Sequence, residues 1–275
     1  MSYAAAAEGP LGRGTIRTVE NLTGRIGLLM RLRQHLPALM NGEGKPFATV
    51  LDALAVTPDV EGEDRIPARG GVLVLSNHPF GMLDGLTLGW LLERARPDFR
   101  ILANDVLAKA PPLLPHIIPM PLKRTRETLR ARKAARDASI AHLRAGHALC
   151  LFPAGRTASP ARPFGPPLEG EWSTFVARVA RDGGVPVLPV FFEGRNGALF
   201  HAAGFAHRNL RHGLQMHALR RRCGGRVRVR IGDAIAAEEI ARFGHDLPGL
   251  AFHLRCRLLA LSPEPIDPAE TGRPF

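Results

Sequence analysis

The chain has 275 residues, a length that suits one large domain or two small ones with ample chain for a buried core. At 45% hydrophobic and 23% charged residues it lies in the globular range, which excludes wholesale disorder. Its 37 Lys+Arg against 25 Asp+Glu leave a formal charge of +12, so an anionic partner is expected: nucleic acid, a membrane surface or a phosphorylated substrate.

Residues 1–21, with their alanine run and glycines, read as a flexible lead. They lack a basic stretch followed by an apolar core, so no secretory leader is expected. Residues 22–57 read as an amphipathic helical segment. Leu28, Leu29, Leu32 and Leu36 fall at helical spacing with Arg25, Arg31 and Arg33 between them. Such a helix either packs on the body of the protein or lies in a membrane interface. Pro58–Gly71, acidic and then turn-rich, reads as a linker into a main domain that runs to Ser262.

In that domain short apolar runs alternate with helical patterns. Strands are expected at Val72–Ser76, Phe99–Ala103, His116–Met120, Ala148–Phe152, Val185–Phe192 and Val227–Ile231. Helices are expected at Leu83–Ala95, Arg124–Ala145, Trp172–Arg181 and Glu238–Ala260, the last broken near Pro248. The pattern is that of an α/β domain with a largely parallel, covered sheet. No run approaches the roughly 18 apolar residues of a bilayer span. Residues 263–275, rich in proline, read as a loose tail. Cys150, Cys223 and Cys256 form no CxxC pair, which argues for a reducing compartment.

In α/β domains functional residues gather where strands end and helix N-termini converge. Three loops fit. In SNHPFGMLDG, His78 follows an apolar strand and Asp84 opens a helix. A carboxylate on the second ring nitrogen would fix the tautomer of a general base and stabilise its imidazolium. The alternative is a histidine bonded to loop backbone, with Asp84 as a helix cap. In LFPAGRTASP, Gly155 allows close backbone approach and Arg156 offers a bidentate anion contact, or else a solvated arginine. In IPMPLKRTRE, Lys123 and Arg124 open either a cationic patch or a solvated helix face.

Together these blocks resemble the lysophospholipid (glycerol-phosphate) acyltransferase superfamily, which includes 1-acylglycerol-3-phosphate acyltransferases and hemolysin-like lyso-lipid O-acyltransferases. Asn77-His78 with Asp84, then Lys123-Arg124, then Phe152-Pro153-Ala154-Gly155-Arg156, then Val185-Pro186-Val187-Leu188-Pro189-Val190 stand in that family's order, over residues about 70 to 232. Two positions depart from the best-known members. Five residues rather than four separate His78 from Asp84, and Ala154 stands where many carry Glu. The NHPFGMLDG form looks more like the divergent hemolysin-like branch, including the acyltransferase domains of ornithine-lipid synthesis.

The resemblance implies a single acyltransferase domain over 58–262 that transfers a fatty acyl group to the hydroxyl of a lyso-lipid, either lysophosphatidate-like or lyso-ornithine-lipid-like. His78 would act as base and Asp84 would orient it. Lys123, Arg124, Phe152, Pro153, Gly155 and Arg156 would bind substrate. Backbone N–H groups near Gly81 or Gly155 would hold the oxyanion. Acyl-CoA or acyl carrier protein would be the donor, with no cofactor and no metal. The expected setting is the cytoplasmic side, peripheral to the inner face of the plasma membrane, where two carboxylate-free stretches, 138–168 and 194–232, would meet anionic lipid. A lipid-binding pseudoenzyme of the same fold is the alternative. A nucleic-acid-binding protein is disfavoured by one Tyr, two Trp and no recognisable module.

Overall fold

A computed structural model describes residues 2–7, 9–42, 44–104, 110–121 and 125–273. Its nine strands are β1 (Thr57–Glu61), β2 (Val72–Ser76), β3 (Phe99–Asn104), β4 (Ile117–Met120), β5 (Ala148–Leu151), β6 (Ser159–Pro160), β7 (Pro167–Leu168), β8 (Val187–Phe192) and β9 (Arg226–Ile231). Helices α1 (Gly9–Glu20), α2 (Ile26–Leu32), α3 (Leu36–Met40) and α4 (Pro46–Ala53) precede the sheet. Within it follow α5 (Met82–Ala95), α6 (Arg126–Arg144) and α7 (Thr174–Gly183). Helices α8 (Ala198–Ala206), α9 (Arg208–Gly213), α10 (Gln215–Arg222), α11 (Ala237–Ala241) and α12 (Leu247–Leu259) complete the set.

Seven strands form one sheet in the order β1-β9-β8-β2-β5-β3-β4. All neighbours are parallel except the antiparallel β8–β9 pair. The fold is thus α/β with a largely parallel sheet. Because the sheet is covered on both faces, its central strands β2, β5 and β8 are buried at every position. In β2, Val72 and Val74 join a core with α4 and α5, while Leu73 and Leu75 join one with α6, α7 and α12. The β6–β7 hairpin stands apart as a second, two-stranded sheet.

Three stretches differ from the expectations above. The acidic linker begins with a strand, β1, which lies parallel to β9 in register Asp59↔Arg228 and Glu61↔Arg230. Its carboxylates face the alternating arginines across the ladder, Asp59–Arg228 at 3.7 Å and Glu61–Arg230 at 3.5 Å. Glu193 adds a contact to Arg230, so these two arginines of the carboxylate-free stretch are paired rather than offered to a partner. The flexible lead contains α1, held down by Ile16 and by buried Glu20, whose carboxylate accepts from the Tyr3 N–H at 2.7 Å and from the Ser2 hydroxyl. The loose tail is tied to the body, where Gly272 N–H donates to the Glu169 carbonyl and Arg255 donates to the Glu270 carbonyl.

The amphipathic segment is divided among α2, α3 and α4, and it does two things at once. Leu28 and Leu39 are buried, while Leu22, Met30, Leu36 and Met40, with Leu11 of α1, remain exposed. No helix among the described residues is long and apolar enough to cross a membrane.

At the opposite end of the sheet from the strand tips, buried Arg96 forms a bidentate pair with Asp98 at 2.6 and 2.7 Å, and His147 Nδ1 lies 3.0 Å from the same carboxylate. The Arg96 hydrogen bonds, against a modest burial cost, hold the Asp98 carboxyl well below the usual carboxylate range. A depressed carboxyl adds stability that is present above its unfolded value and lost as pH falls through its folded value. Asp98→Asn is therefore expected to lower the melting temperature by about 2–5 °C at neutral pH. The gap to the parent protein should begin to narrow below about pH 4 and close only as pH falls through the folded value. Thermal melts at pH 7 and pH 3 check this, and an equal gap at both would refute it.

Candidate active site

Strand β2 ends at Ser76, and the next five residues are fixed one by one. The Asn77 amide pairs with both backbone groups of Phe192 in β8, accepting at 2.7 Å and donating at 2.9 Å. The His78 N–H donates to Glu169 Oε1 at 2.8 Å, and its carbonyl accepts from the Ala158 N–H at 2.8 Å. The Pro79 carbonyl accepts from Asn196 Nδ2. The N–H groups of Phe80 and Gly81 both donate to Asp84 Oδ2 at 2.9 Å. Gly81 turns the chain into α5 at φ +86°, and a Cβ there would meet the Gln215 side chain at 2.7 Å. Both conditions select glycine.

The same Asp84 oxygen lies 2.8 Å from His78 Nδ1. The two sequence-level alternatives, base partner and helix cap, therefore coexist in one carboxylate. Asp84 is fully buried, and its Oδ1 has no hydrogen-bond partner among the described residues. Burial pushes its carboxyl above the usual range, against the pull of His78 and of the two loop amides. The imidazole, with about a fifth of its side chain exposed, stacks on the Phe152 ring at a centroid distance of 4.0 Å.

His78 opens into a cavity of about 410 Å³ lined by two kinds of side chain. The apolar ones include Leu28, Leu32, Phe47, Val50, Leu54 and Ile101. The polar and cationic ones include Arg25, Arg156, Thr157, Arg208, Arg211 and Gln215. Arg211 is nearly buried, stacks over Phe200 at 4.6 Å and donates to the Thr157 and Ala158 carbonyls. Burial, and then the charge of Arg156, bring its guanidinium down to about 10. Arg156 lies over Gly170, where a Cβ would strike its guanidinium, and burial lowers it too.

Of the residues named from sequence, His78, Phe152, Pro153, Gly155 and Arg156 line this cavity, with Asp84 directly behind the imidazole. Lys123 and Arg124 lie outside the described residues. The expected oxyanion donors are not available at the two glycines named. The Gly81 N–H is bonded to Asp84, and the Gly155 N–H donates to the Phe152 carbonyl at 2.9 Å. Sequence reasoning missed Glu169, Arg211 and Gln215, which reach the site from distant segments. The only sequence signal near the last two was the carboxylate-free stretch 194–232, read there as surface charge.

The family model described as Acyltransferase matches residues 57–193, from β1 through the strand that anchors Asn77. The chain belongs to the acyltransferase superfamily. The chain is 31% identical over 156 residues to a lyso-glycine lipid O-acyltransferase of Phocaeicola vulgatus, covering 55% of this chain and 52% of that protein. A lyso-glycine lipid O-acyltransferase of Bacteroides thetaiotaomicron is 30% identical over 156 residues, covering 55% and 53%. The chain thus spans about half the length of the curated relatives it matches. Among solved structures, the 1-acyl-sn-glycerophosphate (LPA) acyltransferase PlsC of Thermotoga maritima aligns over 91% of this chain and 95% of its own, at 19% identity and a TM-score of 0.48.

Proposed function

We propose that this protein is an O-acyltransferase that moves a fatty acyl group from an acyl thioester, acyl-CoA or acyl carrier protein, to the hydroxyl of an anionic lyso-lipid. The observation that carries this reading is the His78–Asp84 pair opening into a cavity lined by both apolar and cationic side chains. The apolar lining suits an acyl chain and the cationic lining suits an acidic headgroup. The names of the relatives favour an amino-acid headgroup over glycerol phosphate, in keeping with Ala154 in place of the usual Glu.

In this mechanism His78 Nε2 takes the proton of the acceptor hydroxyl as its oxygen attacks the thioester carbonyl. Asp84, on Nδ1, stabilises the imidazolium that forms. Collapse of the tetrahedral adduct breaks the C–S bond, and the departing thiolate takes the proton back from His78. The products are an ester and a free thiol, with no covalent enzyme intermediate. We place the lyso-lipid at the inner face of the plasma membrane, and contact with a membrane surface is supported by the exposed Leu11, Leu22, Met30 and Met40 beside the arginines of α1 and α2.

The test is an in vitro transfer assay with labelled acyl-CoA and acyl carrier protein against lyso-glycine lipid, lyso-ornithine lipid and lysophosphatidate. Formation of a diacylated product from at least one pair is expected, and no product from any pair would overturn the reading. In the same assay Arg156→Ala should raise the acceptor KM about 10- to 100-fold, the loss of one charge-assisted contact, with a smaller change in kcat. An unaltered acceptor KM would remove Arg156 from the headgroup site.

A further inference from the structure

One face of the α9–α10 segment is graded in polarity. Helical bonding continues between the two helices, with the Leu214 N–H donating to the Leu210 carbonyl and the Ala218 N–H to the Leu214 carbonyl. Arg208, Arg211, Gln215 and Leu219 therefore recur at helical spacing, and all four line the cavity. Along that line the wall passes from two cations to a neutral amide to an apolar side chain. The order is that of a lyso-lipid built on an amino acid: acid group, amide, hydrocarbon chain.

Gln215 is the position that no role yet covers. Its side chain is about nine-tenths buried (8% exposed), and its Oε1 has no hydrogen-bond partner among the described residues. A buried acceptor left unsatisfied carries a desolvation cost that a ligand donor would recover. The amide lies against the loop that carries His78, 2.7 Å from where a Gly81 Cβ would be, with Thr157 Oγ1 at 3.3 Å from the same point. A ligand group that reaches Gln215 is therefore beside the proposed reacting centre.

The chemistry of that ligand group can be narrowed. The acceptor hydroxyl is committed to His78, so a second donor is needed. An ammonium is disfavoured by Arg156, Arg208 and Arg211 along the same wall. A glycerol phosphate acceptor offers no N–H. A neutral amide N–H meets both conditions, and the line from cations to amide to apolar side chain favours it.

We propose that Gln215 is a specificity-determining residue that accepts a hydrogen bond from the amide N–H of the acyl acceptor, and so selects N-acylated amino-acid lyso-lipids over their ester counterparts. This rests on the acyl-transfer reading above and names the headgroup feature that the site reads. The phosphopantetheine arm of the donor also carries amide N–H groups, and the experiment separates the two sources.

The full chain is assayed with one acyl-CoA and two synthetic acceptors. Each bears the same hydroxylated chain and the same carboxylate, joined in one through an amide and in the other through an ester. The parent protein should favour the amide by about 10- to 100-fold in kcat/KM, because the ester both lacks the donor and sets an oxygen against Oε1. In Gln215→Met, which keeps length and burial, that preference should fall to about 3-fold or less through loss of the amide rate alone. Equal use of amide and ester by the parent protein would overturn the proposal while leaving acyl transfer intact, and this arm needs no variant to fold. A raised acyl-CoA KM in Gln215→Met with an unchanged amide-to-ester ratio would overturn it in favour of donor binding. Transfer to neither acceptor nor to lysophosphatidate would overturn the acyl-transfer reading and this inference with it.

Discussion

His78→Ala is expected to lower acyl transfer by about 10³-fold or more while the protein remains folded. The loss is confined to chemistry because the backbone of residue 78 carries the structural bonds. Its N–H still reaches Glu169, and its carbonyl still receives the Ala158 N–H. Beneath it, Asp84 keeps the Phe80 and Gly81 amides. What disappears is the imidazole stacked on Phe152, together with the base that accepts the hydroxyl proton. Steady-state transfer of a labelled acyl chain, alongside a circular-dichroism melt, reads both quantities. A variant that transfers at the parental rate would end the case for His78.

Asp84→Asn should separate stability from turnover. The asparagine oxygen, in the Oδ2 place, can keep the two loop amides and still accept from Nδ1–H, so the ring keeps its tautomer but loses its counter-charge. A fall in kcat of about 10²- to 10⁴-fold is expected, with little change in either KM. The stability effect has the opposite sign. Burial raises the Asp84 carboxyl, so the folded state favours the protonated form and loses stability as pH rises through its titration. A neutral amide escapes that loss. Asp84→Asn is therefore expected to melt no lower than the parent protein at neutral pH, with the gap widening from low to higher pH. A large drop in melting temperature at pH 7 would show that the carboxylate contributes net stability, contrary to this account.

The parallel block of the sheet was legible in sequence for a physical reason. Strands buried on both faces must be apolar throughout, and runs such as Val72–Ser76 and Val187–Phe192 have no other ready explanation. Strand β1 was illegible for the converse reason. Thr57–Glu61 carries a proline and two carboxylates, and what makes it a strand is a row of arginines in β9, far along the chain. Helices α8 to α10 also went unread, since their glycine, histidine and arginine content hides the apolar face they turn inward.

The site divides in the same way. His78 and Asp84 share one turn into a helix, so spacing alone could bring them together. Glu169 reaches His78 across 91 residues and Arg211 joins the Thr157 loop across 54, separations at which a lone sequence carries no pairing information. At the two glycines themselves no amide is left for an oxyanion, for a local reason. A tight turn consumes its own amides, and both glycines chosen for their openness had already spent them inside the turn.

Strand β1 has one more effect. It is the last strand on its side of the sheet, and its outward positions are Thr57, Asp59 and Glu61, with Pro58 lacking an N–H to offer. Without it, β9 would end the sheet with an open row of backbone groups flanked by like-charged arginines. With it, the margin is short, acidic and interrupted by an imino acid, features that discourage a neighbouring molecule from adding its own strand. The segment that reads as an acidic spacer thereby sets where the sheet stops, and guards a highly basic protein against edge-to-edge aggregation.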